Sequence, residues 1–91
     1  MQAELKVHGG KLIRVACSVK GSKLDSVKIT GDFFLHPEDD LEGLEEELKG
    51  IEIDEDRIRK AVRSFFERRG TTIIGAGPDD FADVIIKALR G

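Results

Sequence analysis

The hydrophobic period of this chain changes once, near Pro37, and that single change restricts the folds open to it. From Glu4 to Phe34 apolar residues recur at every second position, the spacing of a strand with one buried face. In KLIRVACSVK, Ile13, Val15, Cys17 and Val19 alternate with Arg14, Ala16, Ser18 and Lys20. Before it, Leu5 and Val7 alternate with Glu4, Lys6 and His8, and HGGK supplies a glycine turn, so the first two strands should form a hairpin. After a second turn at KGSK, Val27, Ile29, Gly31 and Phe33 share one face while Lys28, Thr30, Asp32 and Phe34 share the other. The expectation is a three-stranded antiparallel meander over about residues 3–34.

Beyond Pro37 the period becomes that of a helix. Pro37 suits the first turn of a helix over about 37–49, Glu38, Asp39 and Asp40 complement its positive end, and Leu41, Leu44 and Leu48 form its stripe before Gly50. A second helix over 54–69 takes Asp54 as N-cap, turns Ile58, Val62, Phe65 and Phe66 inward, and stops at Gly70. A third, over 78–90, follows GPDD with Phe81, Val84, Ile85, Ala88 and Leu89 inward; Ile86 lies about 100 degrees off that stripe. TTIIGAG, between the last two helices, reads either as a short strand or as an extended loop. The order of elements predicts one α+β domain spanning residues 1–91, with three helices packed on one face of the sheet.

Size and composition narrow the function. At 91 residues the chain buries only about 60 to 65% of its unfolded surface, enough for one modest core, and an enzyme with its own cofactor pocket is not expected. No apolar run approaches the roughly 18 residues of a membrane span and MQAELKV has no signal-peptide core, so a cytoplasmic protein is expected. Cys17 is the only cysteine, which excludes an intramolecular disulfide and a multi-cysteine metal or iron-sulfur site built by this chain alone. A charged fraction of 36%, with no Asn and a single Gln, fits a thermophilic pattern. Net charge is −3, with eleven acids against Lys49 over residues 38–56 and six basic residues against Glu67 over 57–69. Such segregation leaves no uniform basic face for nucleic acid.

The candidate sites give no catalytic constellation. Ser18, Ser22, Ser26 and Ser64 have no histidine at a recognisable spacing, since only His8 and His36 exist. The acids of HPEDD are explained more simply by a helix start than by a metal. GAGPDD, Gly75 to Asp80, resembles half of a phosphate loop, but it lacks the lysine, and Asp79 and Asp80 occupy the anion position; turn and cap is the default. Cys17 falls on the apolar side of its strand, where burial raises a thiol's pKa. What stands out is GDFF. Neighbours on a strand point to opposite faces, so Phe33 and Phe34 cannot share one core; the register sends Phe33 inward and places Phe34 beside Lys28 and Thr30, unless Gly31 marks a bulge that re-aims them. Phe34, Ile74 and Ile86 are all apolar at positions that need not face the core, and if they cluster they mark a protein interface.

ITGDFFLHPEDDLEGLEEELKG, with Gly31-Asp32-Phe33-Phe34, then Pro37, then a leucine-striped acidic helix closing at Leu48 to Gly50, resembles the C-terminal accessory domain of lipoate-protein ligases. GGKLIRVACSVKGSKLDSVKI is similar to that domain's hairpin and GAGPDDFADVIIKAL to its closing helix. The resemblance implies a fold related to iron-sulfur scaffold and sulfur-acceptor proteins. It also implies a separate catalytic subunit that binds lipoate, ATP and Mg, forms lipoyl-adenylate and transfers the lipoyl group to a lysine of an acceptor protein. None of that domain's adenylate-binding loop is present, so the chain is expected to be a free-standing subunit of a split ligase, as occurs in some archaea, docking on the catalytic subunit as a heterodimer. The residues expected to face that subunit are Gly31, Asp32, Phe33, Phe34 and Pro37, with secondary contacts at Gly10, Lys11, Gly75 and Gly77. The competing readings are that both rings simply plug the space between sheet and helix, that the chain is an iron-sulfur or sulfur-transfer scaffold, or that it is a regulatory module of another enzyme.

Overall fold

The structure, a computed structural model, describes residues 1–7, 9 and 11–91. Strands β1 (Gln2–Lys6), β2 (Leu12–Lys20) and β3 (Lys23–Gly31) form an antiparallel sheet in the order β1-β2-β3. They are followed by β4 (Phe34–His36), α1 (Asp40–Leu48), α2 (Glu55–Arg69), β5 (Thr72–Ile74) and α3 (Pro78–Arg90). The α+β meander with three helices is the one that the periodicity implies. Ile13, Val15, Cys17, Val27 and Ile29 are buried on one sheet face, while Arg14, Ala16, Ser18, Lys28 and Thr30 stay exposed on the other. Helix α3 lies against β1 and β2, α1 lies against β3, and α2 bridges α1 and α3. No helix among the described residues is long and apolar enough to cross a membrane.

Four expectations need correction. First, the bulge is not at Gly31: pairing shifts between Ser18↔Ser26 and Val19↔Leu24, so the extra residue is Asp25. Gly31 instead ends β3 because nothing larger fits there. A Cβ on it would lie 2.1 Å from the Leu12 carbonyl oxygen and 2.8 Å from Cε2 of Phe33. Second, the meander does not run to Phe34. The chain leaves the sheet after Gly31, and β4 pairs with β5 in a separate antiparallel ribbon, so Thr72–Ile74 of TTIIGAG is a strand.

Third, α1 begins at Asp40, and Pro37 precedes it in a turn where the Asp40 N–H donates to the Pro37 carbonyl at 3.2 Å. Asp40 does more than complement a helix end. It is fully buried, and its carboxylate accepts from Arg69 Nε (3.1 Å), Arg69 Nη2 (2.9 Å) and the Thr71 hydroxyl. The start of α1 is thus tied to the end of α2 and to the residue preceding β5. Fourth, Ile86 is buried, because α3 is covered on one side by the sheet and on another by α2 and so buries more than one stripe. Along that α2–α3 contact runs a ladder of ion pairs: Glu55 with Arg90, Arg59 with Asp83 at 2.6 Å, and Arg63 with Asp79 at 2.9 Å. Successive partners on α2 are four residues apart, which places them on one face of that helix.

Candidate docking surface

The two phenylalanines separate at the corner where β3 ends. Phe33 turns into the core, 9% exposed, and meets Phe81 edge-on with ring centroids 4.9 Å apart. Phe34, the next residue, opens the β4 ribbon and is 67% exposed. Its register partner on β5 is Ile74, itself 59% exposed, while the pair beside them, Leu35↔Ile73, turns toward the core. Directly paired residues of an antiparallel ribbon point to the same side, so Phe34 and Ile74 form a contiguous apolar pair facing solvent. A cleft of about 160 Å³ beside it is lined by Phe33, Phe34, Leu35, Glu38 and Leu41.

The close approach at Gly31 aims this pair. With the Leu12 carbonyl and the Phe33 ring both against its Cα, the chain turns off the sheet at once, and the alternation of the strand restarts from Phe33. The Asp32 N–H donates to the Leu12 carbonyl at 2.9 Å, which holds the corner to β2. From the other side, the buried Asp40 holds Thr71, the residue before β5. The ribbon is therefore anchored near both ends, at Asp32 close to the exposed pair and at Thr71 beyond the His36↔Thr72 pair. The Thr71 hydroxyl and then the Arg69 guanidinium hold the Asp40 carboxyl below the usual carboxylate range, against the opposing effect of burial.

The residues expected at an interface divide into groups. Asp32, Phe34 and Pro37 are exposed. Gly75 adjoins Ile74, and the side chain of Lys11 reaches it: a Cβ on Gly75 would lie 3.4 Å from Lys11 Cγ and 3.5 Å from Phe33 Cα. Gly31 is exposed as well, whereas Phe33 is buried and supports this corner from beneath. Gly77 has a local task as N-cap of α3, where its N–H donates to Asp80 Oδ2 at 2.8 Å. That bond fills the place an anion would take, so this helix start is a cap. Gly10 lies outside the described residues. Ile74 was suggested by its apolar character at a position free of the helix stripes; its pairing with Phe34 depends on a ribbon that only the third dimension reveals.

Among the described residues no group of three or more His, Cys, Asp or Glu side chains is placed to hold a metal. Cys17 is 7% exposed and burial pushes its thiol pKa up, the opposite of what sulfur transfer needs.

The family described as "Bacterial lipoate protein ligase C-terminus" matches residues 1–85 of this chain. The chain is 38% identical over 79 residues to "Lipoate-protein ligase A subunit 2" of Thermoplasma acidophilum, covering 87% of this chain and 77% of that protein. Its fold superposes, with a TM-score of 0.81 and 34% identity, on a chain from the structure of an archaeal lipoylation system, a bi-partite lipoate protein ligase and its E2 lipoyl domain, also from Thermoplasma acidophilum. That likeness covers 100% of this chain and 94% of the other.

Proposed function

Because the chain belongs to the lipoate protein ligase C-terminus family, we propose that it is the accessory subunit of a bi-partite lipoate protein ligase, and that it docks on a separate catalytic subunit through the Phe34–Ile74 surface. The observation that carries the accessory role is the likeness, over the whole chain, to a chain from a bi-partite ligase structure. The exposed pair on a rigidly anchored ribbon supplies the docking surface, since a small domain exposing an aromatic ring beside an isoleucine has a ready anchor for a partner's pocket.

In this reading lipoate, ATP and Mg bind the catalytic subunit. There the lipoate carboxylate would attack the α-phosphate of ATP with loss of pyrophosphate, and a lysine amine of the acceptor protein would then attack the lipoyl carbonyl carbon, forming the amide and releasing AMP and a proton. The accessory subunit contributes no proton transfer and no ligand. It contributes by closing over the reacting groups, fixing their orientation and removing water, effects that need a shaped rigid surface rather than a reactive side chain. In this reading the subunit works in the cytoplasm. The fold relationship to iron-sulfur scaffolds implied by the family resemblance is kept as one of architecture only, because the buried Cys17 does not support their chemistry.

The test is calorimetric titration of this chain into the catalytic subunit of a bi-partite ligase, followed by size-exclusion chromatography of the mixture. A 1:1 complex is expected. Separate elution and no heat, with both proteins folded, would remove the proposal.

A further inference from the structure

We propose that Lys87 guards the outer edge of β1, and that without it the free chain pairs β1 edge to edge with a second copy of itself. The inference goes beyond the accessory-subunit reading and does not depend on it.

A sheet in the order β1-β2-β3 has two edges. The β3 edge is covered. Near its start the Leu24 N–H donates to the Ile51 carbonyl at 2.9 Å, and the Gly50 N–H donates to the Leu24 carbonyl at 2.7 Å. Further along, the Ile29 N–H donates to Oε2 of Glu45 on α1 at 2.7 Å. The ladder on the other side settles which groups of β1 face outward. The Val7 N–H donates to the Lys11 carbonyl at 2.8 Å, and Met1 both donates to and accepts from the Cys17 backbone, at 3.0 and 2.8 Å. Backbone bonding alternates along an antiparallel pair, so the N–H and C=O groups of Gln2, Glu4 and Lys6 point away from β2.

Lys87 of α3 reaches the middle of that outward row: its Nζ donates to the Glu4 carbonyl at 3.0 Å. The ammonium lies from this oxygen at the distance of a ladder amide nitrogen, so it takes the bond that an added strand would need. Bare strand edges recruit other strands, and lysine is one of the devices that blunt them. The contact also sets Lys87 apart from the other lysines. Lys28 and Lys49 lie against carboxylates, and among the described residues no lysine except Lys87 donates to a backbone carbonyl.

The strand held off is a second copy of β1, because β1 is complementary to itself. Ala3 and Leu5 pack on the core but stay half-buried, so a strand added beside them would bury further apolar surface. In a twofold antiparallel pairing centred on Glu4, Ala3 lies opposite Leu5 of the second copy on the core face, and Gln2 lies opposite Lys6 of the second copy on the other face. Glu4 meets its own equivalent, and each is already paired with Arg14 of its own chain at 3.1 Å. The contact is isologous and joins the two sheets into one.

The experiment is sedimentation velocity on the full chain from about 10 μM to about 1 mM, which brackets dissociation constants over about a hundredfold range. The unmodified chain and Lys87→Arg, which keeps a donor, should be monomeric throughout. Lys87→Ala, a favourable change within a helix, should dimerise about tenfold or more tightly than the unmodified chain. Adding Glu4→Pro to Lys87→Ala removes an outward N–H where a strand edge tolerates proline and should restore the monomer. Hydrogen exchange on Lys87→Ala locates the contact independently of that double variant: the Glu4 and Lys6 amides should gain protection as concentration rises. Thermal midpoints confirm that each chain is folded. A dimeric unmodified chain, a Lys87→Ala chain as monomeric as the parent, or a dimer of that variant whose β1 amides stay unprotected would each overturn the proposal. The accessory reading stands in every case, because binding to the catalytic subunit is measured separately.

Discussion

Adjacent phenylalanines with opposite fates make a sharp test, because alanine at each should fail in a different assay. Phe33 is 9% exposed, stacks edge-on against Phe81 at 4.9 Å and covers Gly31. Removing a ring from such a site costs about 3–5 kcal/mol, a large part of the roughly 5–15 kcal/mol that stabilises a domain. Since about 1 kcal/mol moves Tm by about 4–8 °C in a domain under 100 residues, Phe33→Ala should lower it by at least about 12 °C. Phe34 is 67% exposed, and truncation there should stay within about 0.5 kcal/mol, a few degrees at most. The order reverses in binding. An aromatic anchor in an interface costs about 2 kcal/mol or more when truncated, a loss of about 30-fold in Kd for the catalytic subunit. Melting by circular dichroism and calorimetric titration, run on both variants, give the comparison. If Phe34→Ala melts as low as Phe33→Ala, or binds as tightly as the unmodified chain, the division between a core ring and a docking ring is wrong.

Further expectations concern the scaffold. Gly31→Ala forces a Cβ to within 2.1 Å of the Leu12 carbonyl and should lower the urea midpoint by the equivalent of about 2–3 kcal/mol; a midpoint unchanged from the parent would refute the close-approach argument. Thr71 and Arg69 hold the Asp40 carboxyl, and Arg63 the Asp79 carboxyl, below the usual carboxylate range. A depressed folded pKa contributes stability that is present above the unfolded value and lost as pH falls through the folded one, so the urea midpoint should be flat from pH 7 to about 5 and fall below about 4. Asp40→Asn should weaken that acid dependence, and an identical pH profile in the variant would count against the buried tether. Asp83→Asn removes one rung of the α2–α3 ladder and should cost no more than about 1 kcal/mol, as exposed pairs do; a larger drop in Tm would show the rung to be more than a surface pair. Cys17 should react with a thiol reagent slowly in the native chain and rapidly in urea, and fast native labelling would revive a sulfur-transfer role.

Much of this architecture was legible in the chain because local and long-range preferences agree. Asp54 caps α2 by accepting from the Arg57 N–H at 3.0 Å, and Gly70 closes it at φ +62°, both as their residue types imply. The errors fall where a tertiary contact overrides a local signal. Asp40 looked like one more acid at a positive helix end, and nothing near it in sequence announces Arg69 and Thr71. Ile86 looked surplus because the helical wheel assumes one covered side, whereas α3 has two. Gly31 was rightly marked as unusual, but the cause is a carbonyl on another strand rather than a bulge in its own. The exposed apolar pair was half visible for the same reason: GDFF named Phe34, yet its register partner Ile74 is forty residues away and joins it only through the β4–β5 ribbon.

The central claim is that a chain without chemistry of its own completes a lipoate-activating enzyme. Lipoyl-adenylate formed from lipoate and MgATP by the catalytic subunit of a bi-partite ligase, measured with and without this chain, tests it most directly. Adenylate should appear only when both are present and fall sharply when Phe34→Ala replaces the unmodified chain. Equal adenylate without this chain would contradict the account.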